Sequence, residues 1–460
     1  MIGGPEDSVG SPAPARDGSQ QALGEFVAGL AARPPAAVAL RGAHDSVTYG
    51  ELAAALASAH GRAPARGSAR RVTVTVRSRA SDVLEILATA CAGDSPLVLD
   101  ASATDWEVER AVAGFAPGDR SRTLGISTSG TTGAPKIVGL GWDDLLVNAA
   151  AFARAAGYED SDVLWCGTPL HHRYCLAAGV LAGLGAGARV VLSPGSVGPA
   201  DLAPVLLDER VTVMLSVPYL YAWYQREPAR DDSLARSWSL RRCVAAGEPV
   251  PAALAARWRE TTGLPLLAHY GSTEDGQISI GTGAVDEGVG PAIDGVQVRR
   301  SDSGELLVRR TDVPGRTWRA TGDLGHVDDR GNVHVTGRSG VTINVAGRKV
   351  DPVEVEGVIS DQPGVHDVVV AGADTDNGQE VVAFVVADDT ATDAVIRSHV
   401  SGLLSPYKVP RHIRRVPEIP RTASGKPLRG RLLAGVRLGT GALSGQVIGV
   451  SAARGPRGDV

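Results

Sequence analysis

The order of hydrophobic and polar positions divides residues 21–268 into strand-like and helix-like segments. Short apolar or alternating runs predict strands, and apolar residues three or four positions apart predict helices. The predicted strands are a hairpin over 37–48 and single strands at 71–76, 96–99, 163–166, 189–192, 211–216, 242–245 and 264–268. The predicted helices are a segment that begins near Ala22 and the ranges 49–59, 82–92, 142–156 and 176–184. Strands that alternate with helices predict a parallel sheet with helices on its faces.

The pattern changes after residue 288. Up to residue 335 the predicted strands are short and separated by Gly and Asp turns, which is typical of a β-rich subdomain. A glycine-dotted junction over 337–347 then precedes a helix at 352–361, strands at 368–372 and 381–386 and a helix at 391–404.

These segments predict a protein of the α/β class. We expect a large N-terminal domain of stacked α/β subdomains plus a β-rich subdomain, followed by a small mobile α+β C-terminal domain. The expected boundaries are a disordered tail at 1–20, the N-terminal domain at 21–337, a C-terminal lid domain at 338–436 and a flexible tail at 437–460.

Length and composition are those of a globular protein with more than one core. The 460 residues are too many for one hydrophobic core and enough for two or three domains. Hydrophobic residues make up 43% of the chain and charged residues 21%, as in ordinary globular proteins. The 46 basic and 51 acidic residues leave a net charge of −5. The sequence therefore has no overall basic field for nucleic acid.

Cysteine spacing and hydropathy favour a cytoplasmic protein. The four cysteines form no C-x-x-C pair, so they predict scattered thiols in a reducing compartment rather than a metal or redox motif. The N-terminus carries Glu6 and Asp7 and lacks the apolar segment of a signal peptide. The longest uncharged run, 174–188, is shorter than the roughly 20 residues of a membrane span.

A polar stretch at 127–136, STSGTTGAPK, lies between two apolar strand-like segments. Its glycines, Gly130 and Gly133, allow the backbone N–H groups to approach an anion. Five hydroxyls and the Lys136 ammonium suit a polyphosphate. A Walker A loop is excluded, because two residues separate Gly133 from Lys136 and strand-type residues follow. A flexible surface loop is the alternative interpretation.

Three further stretches carry candidate chemistry. In 270–274, YGSTE, a Tyr ring could stack on a base and a carboxylate could hold Mg²⁺. In 321–325, TGDLG, one Asp on a predicted tight turn suits ribose hydroxyls, and 420–429, PRTASGKPLR, puts Lys426 on a Gly-bearing loop. Taken singly, each could equally be a β-turn, an Asp-Gly turn or a basic surface loop.

Together, and in this order, the four stretches resemble the superfamily of adenylate-forming enzymes. That superfamily contains acyl- and aryl-CoA ligases, the adenylation domains of peptide synthetases and luciferases. The resemblance extends from about residue 23 to residue 433. Further matching stretches are 48–52 (TYGEL), 246–249 (AGEP), 304–306 (GEL), 337–356 (GRSGVTINVAGRKVDPVEVE) and 406–410 (PYKVP).

The resemblance implies a role for each matching residue. Lys426 would bridge the reacting carboxylate and the α-phosphate of ATP, Glu274 would hold Mg²⁺ beside Thr273, and Asp323 and Arg338 would bind the ribose. His172 lies where CoA ligases have a His beside the acyl pocket, although a lone His is often structural. The remaining nucleotide-binding residues would be Thr128, Ser129, Gly130, Thr131, Thr132, Gly133 and Lys136 around the phosphates, with Gly247, Glu248, Pro249, Tyr270, Gly271 and Ser272 near the adenine.

The implied reaction is the ATP-dependent conversion of a carboxylic acid to acyl-AMP with release of pyrophosphate. A thiol, either CoA or the phosphopantetheine of a carrier protein, would then accept the acyl group. An amide synthetase that uses an amine acceptor, a stand-alone amino-acid adenylation enzyme and a non-catalytic nucleotide-binding relative are the alternatives.

The chain departs from the family pattern in three places. Ser339 and Gly340 stand at the hinge, where many relatives have Asp or Lys. Amino-acid-activating relatives have an Asp shortly after the strand at 163–166, and this chain has HHRY at 171–174 instead. We therefore expect an uncharged or weakly polar acyl or aryl acid rather than an α-amino acid. The region before Ser127 is short for the family.

Overall fold

The structure is a computed structural model of the 460-residue chain. It describes residues 21–61, 70–115, 123–128, 136–193, 197–226, 239–284, 286–313, 315–338, 343–345, 348–375, 378–404, 406–422 and 425–434. The two predicted tails, at 1–20 and 437–460, lie outside these residues.

Helices and strands alternate through the first 280 residues. The helices of this region are α1 (Gln21–Ala31), α2 (Tyr49–His60), α3 (Ala80–Cys91), α4 (Asp105–Gly114), α5 (Trp142–Ala155), a π-helix (Tyr174–Leu181), α6 (Ala182–Ala186), α7 (Pro199–Asp208), α8 (Pro218–Arg226) and α9 (Ala252–Thr262). The strands are β1 (Val38–Arg41), β2 (Ser46–Thr48), β3 (Arg71–Val76), β4 (Ser95–Asp100), β5 (Thr123–Thr128), β6 (Lys136–Gly141), β7 (Val163–Cys166), β8 (Arg189–Leu192), β9 (Val213–Ser216), β10 (Arg242–Ala246), β11 (Leu266–Ser272) and β12 (Gly276–Ile280).

An eight-stranded sheet in the order β12-β11-β10-β9-β7-β8-β1-β2 forms the centre of the large domain. Its inner strands are parallel, and the edge strands β12 and β2 run antiparallel to their neighbours. One core contains Phe152 of α5 and Leu176 of the π-helix. A second core contains Leu206, Tyr221 and Trp258 of α7, α8 and α9. Helices on both faces explain why the inner strands are apolar throughout.

A second sheet, in the order β3-β4-β5-β6, shares the first of these cores. Strands β3, β4 and β5 are parallel, and β5 and β6 form an antiparallel pair in which Thr128 lies opposite Lys136. The strand–loop–strand arrangement predicted around the polar stretch is therefore confirmed for its two strands. The stacked α/β arrangement of the large domain is also as predicted.

The rest of the chain contains smaller sheets. One has the order β13-β14-β15-β16, with β13 (Val296–Arg300), β14 (Glu305–Arg310), β15 (Arg319–Val327) and β16 (Val333–Arg338). The C-terminal elements are β17 (Ile343–Val345), β18 (Arg348–Val350), α10 (Pro352–Ser360), β19 (Val365–Thr375), β20 (Gly378–Ala387), α11 (Asp393–Leu403), β21 (His412–Arg415) and α12 (Arg429–Ala434). Strands β19, β20 and β21 form one sheet and β17 pairs with β18. The predicted β-rich subdomain and smaller α+β C-terminal domain are both present.

Three helices illustrate what the sequence pattern does and does not reveal. Helix α2 begins at Tyr49 as predicted, and Thr48 caps it in a capping box with Glu51. The same motif, Thr104 with Glu107, starts α4, a polar helix that was not predicted. The predicted helix at 176–184 is mostly a π-helix, because its apolar run does not distinguish between helix types.

Two motifs lie on strands rather than on turns. Strand β11 extends to Ser272, so Tyr270 is within the strand and not after it. Asp323 was predicted on a tight turn, but it lies inside β15, directly opposite Arg338 of β16. A register shift after Leu324 and the positive φ of Gly322 (81°) explain the turn-like sequence.

Among the described residues, no helix combines the length and the apolar character that crossing a membrane requires.

Candidate active site

Tyr270, Asp323 and Arg338 form a hydrogen-bonded triad between two sheets. Tyr270 on β11 donates its hydroxyl to Oδ2 of Asp323 over 2.7 Å. Arg338 at the end of β16 donates Nε to Oδ1 of Asp323 over 2.8 Å. The Asp323 side chain is only 8% exposed. Burial, followed by the charge of Asp323, raises the pKa of Tyr270, so the phenol stays protonated and donates. Three residues from separate motifs are thus brought together.

Lys426 reaches the same region from the C-terminal domain. It follows Gly425, whose φ of 85° is available to glycine at little cost. Burial and the neighbouring Arg338 lower the pKa of the Lys426 ammonium. The carboxylates whose charges oppose this shift are Glu248, Glu274 and Asp323. The ammonium therefore lies among residues that the sequence assigned to one site.

Glu248 follows the last residues of β10 and contacts the C-terminal domain. Nη1 of Arg421 lies 3.1 Å from both of its carboxylate oxygens. Burial raises the pKa of Glu248 to about 7, although Arg421 opposes the shift. Gly247 precedes it with a φ of 92°. The predicted adenine-side carboxylate is therefore already paired with a guanidinium.

Glu274 lies on the turn between β11 and β12 and is exposed to solvent. The next residue, Asp275, is buried and bonded within the protein. The Ser272 hydroxyl donates to Oδ2 of Asp275 over 3.0 Å, and Arg319 of β15 donates Nε to Oδ1 over 2.7 Å. Both carboxylate oxygens of Asp275 thus have partners inside the chain.

Two more arginines bind the backbone of this turn. Arg173 donates to the carbonyl of Thr273, and Arg310 donates to the carbonyl of Asp275 over 3.4 Å. Arg173 is 5% exposed, and burial lowers the pKa of its guanidinium to about 9, which leaves it charged at neutral pH. A Cβ on Gly276 would lie 2.5 Å from the Arg173 guanidinium, so the close approach requires glycine there. Three arginines thus fix the turn.

His172 lies in a half-buried pair of imidazoles. Its ring is 4.1 Å from that of His171, and Nδ1 of His171 is 3.1 Å from Oδ2 of Asp100 at the end of β4. Burial, together with the charges of His171 and Lys426, lowers the pKa of His172 to about 3. Within the described residues, Nε2 of His172 is buried without a hydrogen-bond partner. His172 is thus a neutral ring, and the positive charge of the nearby Lys426 is one of the reasons why it stays unprotonated.

Tyr174 forms a fixed wall next to these residues. Its hydroxyl donates to the carbonyl of Val244 over 3.1 Å, and its ring stacks on His269 with a centroid distance of 5.4 Å. Phe152 packs edge-on against His269 at 4.8 Å. Burial lowers the pKa of His269 to about 3, so the stack is uncharged at neutral pH.

The structure gives no account of some predicted site residues. The polar loop from Ser129 to Gly133, including Thr131 and Thr132, and the hinge residues Ser339 and Gly340 lie outside the described residues. Thr128 and Lys136 are located by their backbone alone, on β5 and β6. These assignments remain predictions.

Sequence reasoning missed the arginines that support the site, namely Arg173, Arg310, Arg319 and Arg421. Each bonds to a residue 35 to 173 positions away. No local pattern reports such pairs. The only signal was that Arg173 interrupts an otherwise uncharged run, and that Arg421 lies in the Lys426 motif.

Comparison with known proteins agrees with this geometry. The sequence profile of the AMP-binding enzyme family matches residues 124–320, and the profile of the AMP-binding enzyme C-terminal domain matches residues 354–426. The two segments contain the triad residue Tyr270 and the small-domain residue Lys426. The chain belongs to this family of adenylate-forming enzymes.

Two CoA ligases are among the proteins that resemble this chain. The chain is 31% identical over 342 residues to benzoate–CoA ligase of Thauera aromatica, an alignment that covers 66% of this chain and 64% of that enzyme. It is 31% identical over 368 residues to the 3-[(3aS,4S,7aS)-7a-methyl-1,5-dioxo-octahydro-1H-inden-4-yl]propanoyl:CoA ligase of Mycobacterium tuberculosis, covering 74% of this chain and 71% of that enzyme. The chain therefore matches a little under two thirds of the length of the first relative.

The fold is also that of a solved structure. ATP-bound MatB from Rhodopseudomonas palustris superposes with a TM-score of 0.77 at 24% identity, covering 89% of this chain and 98% of that chain.

Proposed function

We propose that the protein activates a carboxylic acid with ATP and transfers the acyl group to a thiol. In the first half-reaction, a carboxylate oxygen attacks the α-phosphorus, the bond from that phosphorus to the bridging oxygen breaks, and pyrophosphate leaves. In the second, the thiol sulfur attacks the acyl carbon, the thiol proton is lost and AMP leaves. The observation that carries the proposal is the meeting of the Tyr270–Asp323–Arg338 triad with Lys426 from the other domain.

The triad fits a nucleoside. Asp323 accepts one hydrogen bond on each oxygen, which leaves lone pairs on both for ribose hydroxyls. The ring of Tyr270 offers a flat apolar face to the base. We assign the loop Thr128–Lys136 to the β- and γ-phosphates, because its two strands end side by side in the described hairpin.

Glu274 suits the Mg²⁺ ion that accompanies ATP as part of the substrate. Magnesium usually keeps several waters and binds one or two carboxylates together with phosphate oxygens. Glu274 is exposed, while the turn that carries it is fixed by Arg173, Arg310 and Arg319. A single carboxylate on a rigid turn meets this requirement.

Lys426 would stabilise the transition state of the first half-reaction. Two anions, the carboxylate and the α-phosphate, must approach each other, and negative charge gathers on the phosphoryl oxygens. An ammonium close to both anions offsets their repulsion. Lys426 is exposed in this structure, so its ammonium can meet the anionic groups of the substrates directly.

The acid substrate in this proposal is an acyl or aryl acid without an α-ammonium group. No acidic residue lies between Val163 and Asp201. Asp275, the other candidate partner for an ammonium, is bonded to Arg319 and Ser272. Two relatives are named as CoA ligases of benzoate and of a bicyclic propanoate, which supports an acid of this kind.

The acceptor in this proposal is CoA, or the phosphopantetheine of a carrier protein as the alternative thiol. Both present the same thiol chemistry. The cytoplasm is the proposed location, because the four cysteines are buried and form no disulfide, as suits a reducing compartment.

The decisive experiment is an ATP–pyrophosphate exchange screen over aliphatic, aromatic and amino acids. We expect exchange with at least one plain acyl or aryl acid, followed by thioester formation on addition of CoA. Parallel reactions with a phosphopantetheinylated carrier protein and with a set of amines identify the acceptor. Nucleotide binding without exchange for any acid contradicts the proposal and indicates a non-catalytic relative.

A further inference from the structure

Arg421 makes contacts in both domains with one guanidinium. Nη1 lies 3.1 Å from each carboxylate oxygen of Glu248 in the large domain. Nη2 donates to Oδ1 of Asp367 on β19 over 2.8 Å. The guanidinium carbon lies 4.8 Å from the ring centre of Tyr219 on α8. The Arg421 side chain is 10% exposed. A single buried cation thus joins two carboxylates and an aromatic ring across the interface.

The same guanidinium shapes the loop that carries Lys426. Nη1 of Arg421 also donates to the carbonyl of Gly425 over 2.7 Å, one residue before Lys426. This loop lies directly on the large domain, because a Cβ at Gly425 would be 3.6 Å from Cβ of Val217. Any displacement of Arg421 therefore also displaces the backbone next to Lys426.

Several charged groups surround the Arg421–Glu248 contact, so removal of Arg421 and removal of Glu248 have different electrostatic consequences. The groups that act on Glu248 are Arg421, Asp367, Glu356 and Arg429, and Lys426 interacts with it as well. Glu248 and Asp367 are like charges that meet only when the domains are docked, and Arg421 offsets their repulsion. A buried ion pair contributes little net stability, but the loss of one partner leaves an uncompensated charge. Such a contact specifies the docked pose while adding little net stability to it.

We propose that Arg421 is the positioning residue that docks the C-terminal domain on Glu248 and thereby holds Lys426 at the site of acyl-AMP formation. The proposal rests on the proposed function for the role of Lys426. The docking itself is independent of any substrate. In this arrangement the Arg421–Glu248 contact breaks when the C-terminal domain leaves this pose for the second half-reaction.

A disulfide trap tests the docking without substrate. Val217→Cys and Gly425→Cys together place two Cβ atoms 3.6 Å apart, which is within the range of disulfides. The native cysteines are buried and do not compete. We expect rapid cross-linking in the Cys pair alone, and at least threefold slower cross-linking when Arg421→Ala is added. Adding Glu248→Gln to that variant removes the uncompensated charge and should restore most of the rate. Unchanged cross-linking in Arg421→Ala overturns the proposal.

The two half-reactions provide the second readout. Arg421→Ala should slow acid-dependent pyrophosphate exchange at least tenfold, while transfer from a supplied acyl-adenylate to CoA stays within threefold. Arg421→Lys should lie between the two, because one ammonium replaces only part of the guanidinium network. Equal loss in both half-reactions overturns the positioning role.

Arg415→Ala is the matched control. Arg415 donates to Oδ1 of Asp393 and to the carbonyls of Ala387 and Asp388, all within the C-terminal domain. We expect Arg415→Ala to lower Tm without separating the half-reactions and without slowing the cross-link. A split equal to that of Arg421→Ala shows general destabilisation and overturns the proposal. If the wild type shows no exchange with any acid but its cross-link still depends on Arg421, the proposed function fails and the docking contact stands.

Discussion

The hydroxyl of Tyr270 lies 2.7 Å from Oδ2 of Asp323 and joins the eight-stranded sheet to the β-rich subdomain. The two residues are 53 positions apart in the chain. The other oxygen of Asp323 accepts from Arg338. This carboxylate is therefore oriented from both sides before any substrate binds, which reduces the cost of ordering it on binding.

Asp323→Asn should raise the KM for ATP by roughly 10- to 100-fold, the scale of a lost charged hydrogen bond. Tyr270→Phe should raise it less, because Arg338 still orients the carboxylate. Steady-state kinetics with ATP varied provide the measurement. Asp328→Asn is the control on the next turn, where Asp328 bonds to Asn332 and His334. A KM for ATP that is unchanged in Asp323→Asn contradicts the ribose assignment.

Lys426→Ala should lower the rate of adenylation by roughly 10²–10³-fold, the scale of losing one preorganised charge contact. Transfer of the acyl group from a supplied acyl-adenylate should survive far better, because the α-phosphate bond is already made. Pyrophosphate exchange and thioester formation are measured separately. Equal losses in the two assays argue against the assigned role.

The substrate prediction concerns α-amino acids. A buried, unpaired ammonium is very costly, and the buried charge of Asp275 is already paired with Arg319. Plain acyl or aryl acids should therefore support pyrophosphate exchange, and their α-amino counterparts should support it much less well. A free α-amino acid as the best substrate contradicts this interpretation of the pocket. Asp275→Asn would then be the first variant to examine.

The pH prediction follows from Glu248. Burial raises its pKa to about 7 from an ordinary 4.5, so the docked protein binds a proton that the unfolded chain has lost. Its contribution to stability is fully present below pH 4.5 and is lost as pH rises through 7. The Tm of Glu248→Gln relative to wild type should therefore rise by about 2 °C or more between pH 5 and pH 8, on top of any pH-independent cost of the weakened contact with Arg421. Thermal melts of both proteins at both pH values provide the measurement, and a difference in Tm that stays constant or falls with pH refutes the prediction.

The hinge prediction concerns Gly340, which lies two positions after Arg338 and outside the described residues. Domain rotation between half-reactions requires a few residues that absorb a large change in φ and ψ. Gly340→Pro fixes φ and should trap one pose, so that one half-reaction fails while the other continues. A fully active Gly340→Pro enzyme indicates that the rotation occurs at another residue.

The sequence predicted the elements of the fold well where local chemistry determines them. Strand β3 was predicted at its observed bounds, because its alternating apolar residues lie between polar segments. Helix α2 was predicted over 49–59, close to its observed bounds, and the structure shows that a capping box starts it. The π-helix was not, since the apolar run at 174–181 fits several helix types. The predicted strand at 264–268 ended too early, because Gly271 suggested a turn where β11 continues to Ser272.

The site was predicted only as a set of separate motifs. Their meeting was implied by the family resemblance, and the structure brings Tyr270, Asp323 and Arg338 together. The supporting arginines could not be predicted, because a buried Arg and a solvated Arg look alike in a sequence. Arg421 and Glu248 are 173 residues apart, and only the docked domains make them neighbours.

The order of the central sheet determines how long an early strand waits for its neighbour during synthesis. Strand β1 pairs with β8 through Leu40 and Val190, so the β1 edge of the β1–β2 hairpin stays unpaired until about 150 further residues have been synthesised. Synthesis at roughly 5–20 residues per second leaves that edge open for on the order of ten seconds or more. An open edge can pair with another chain. The β1–β2 hairpin is therefore a segment through which a nascent chain of this protein can associate with another chain before β8 is made.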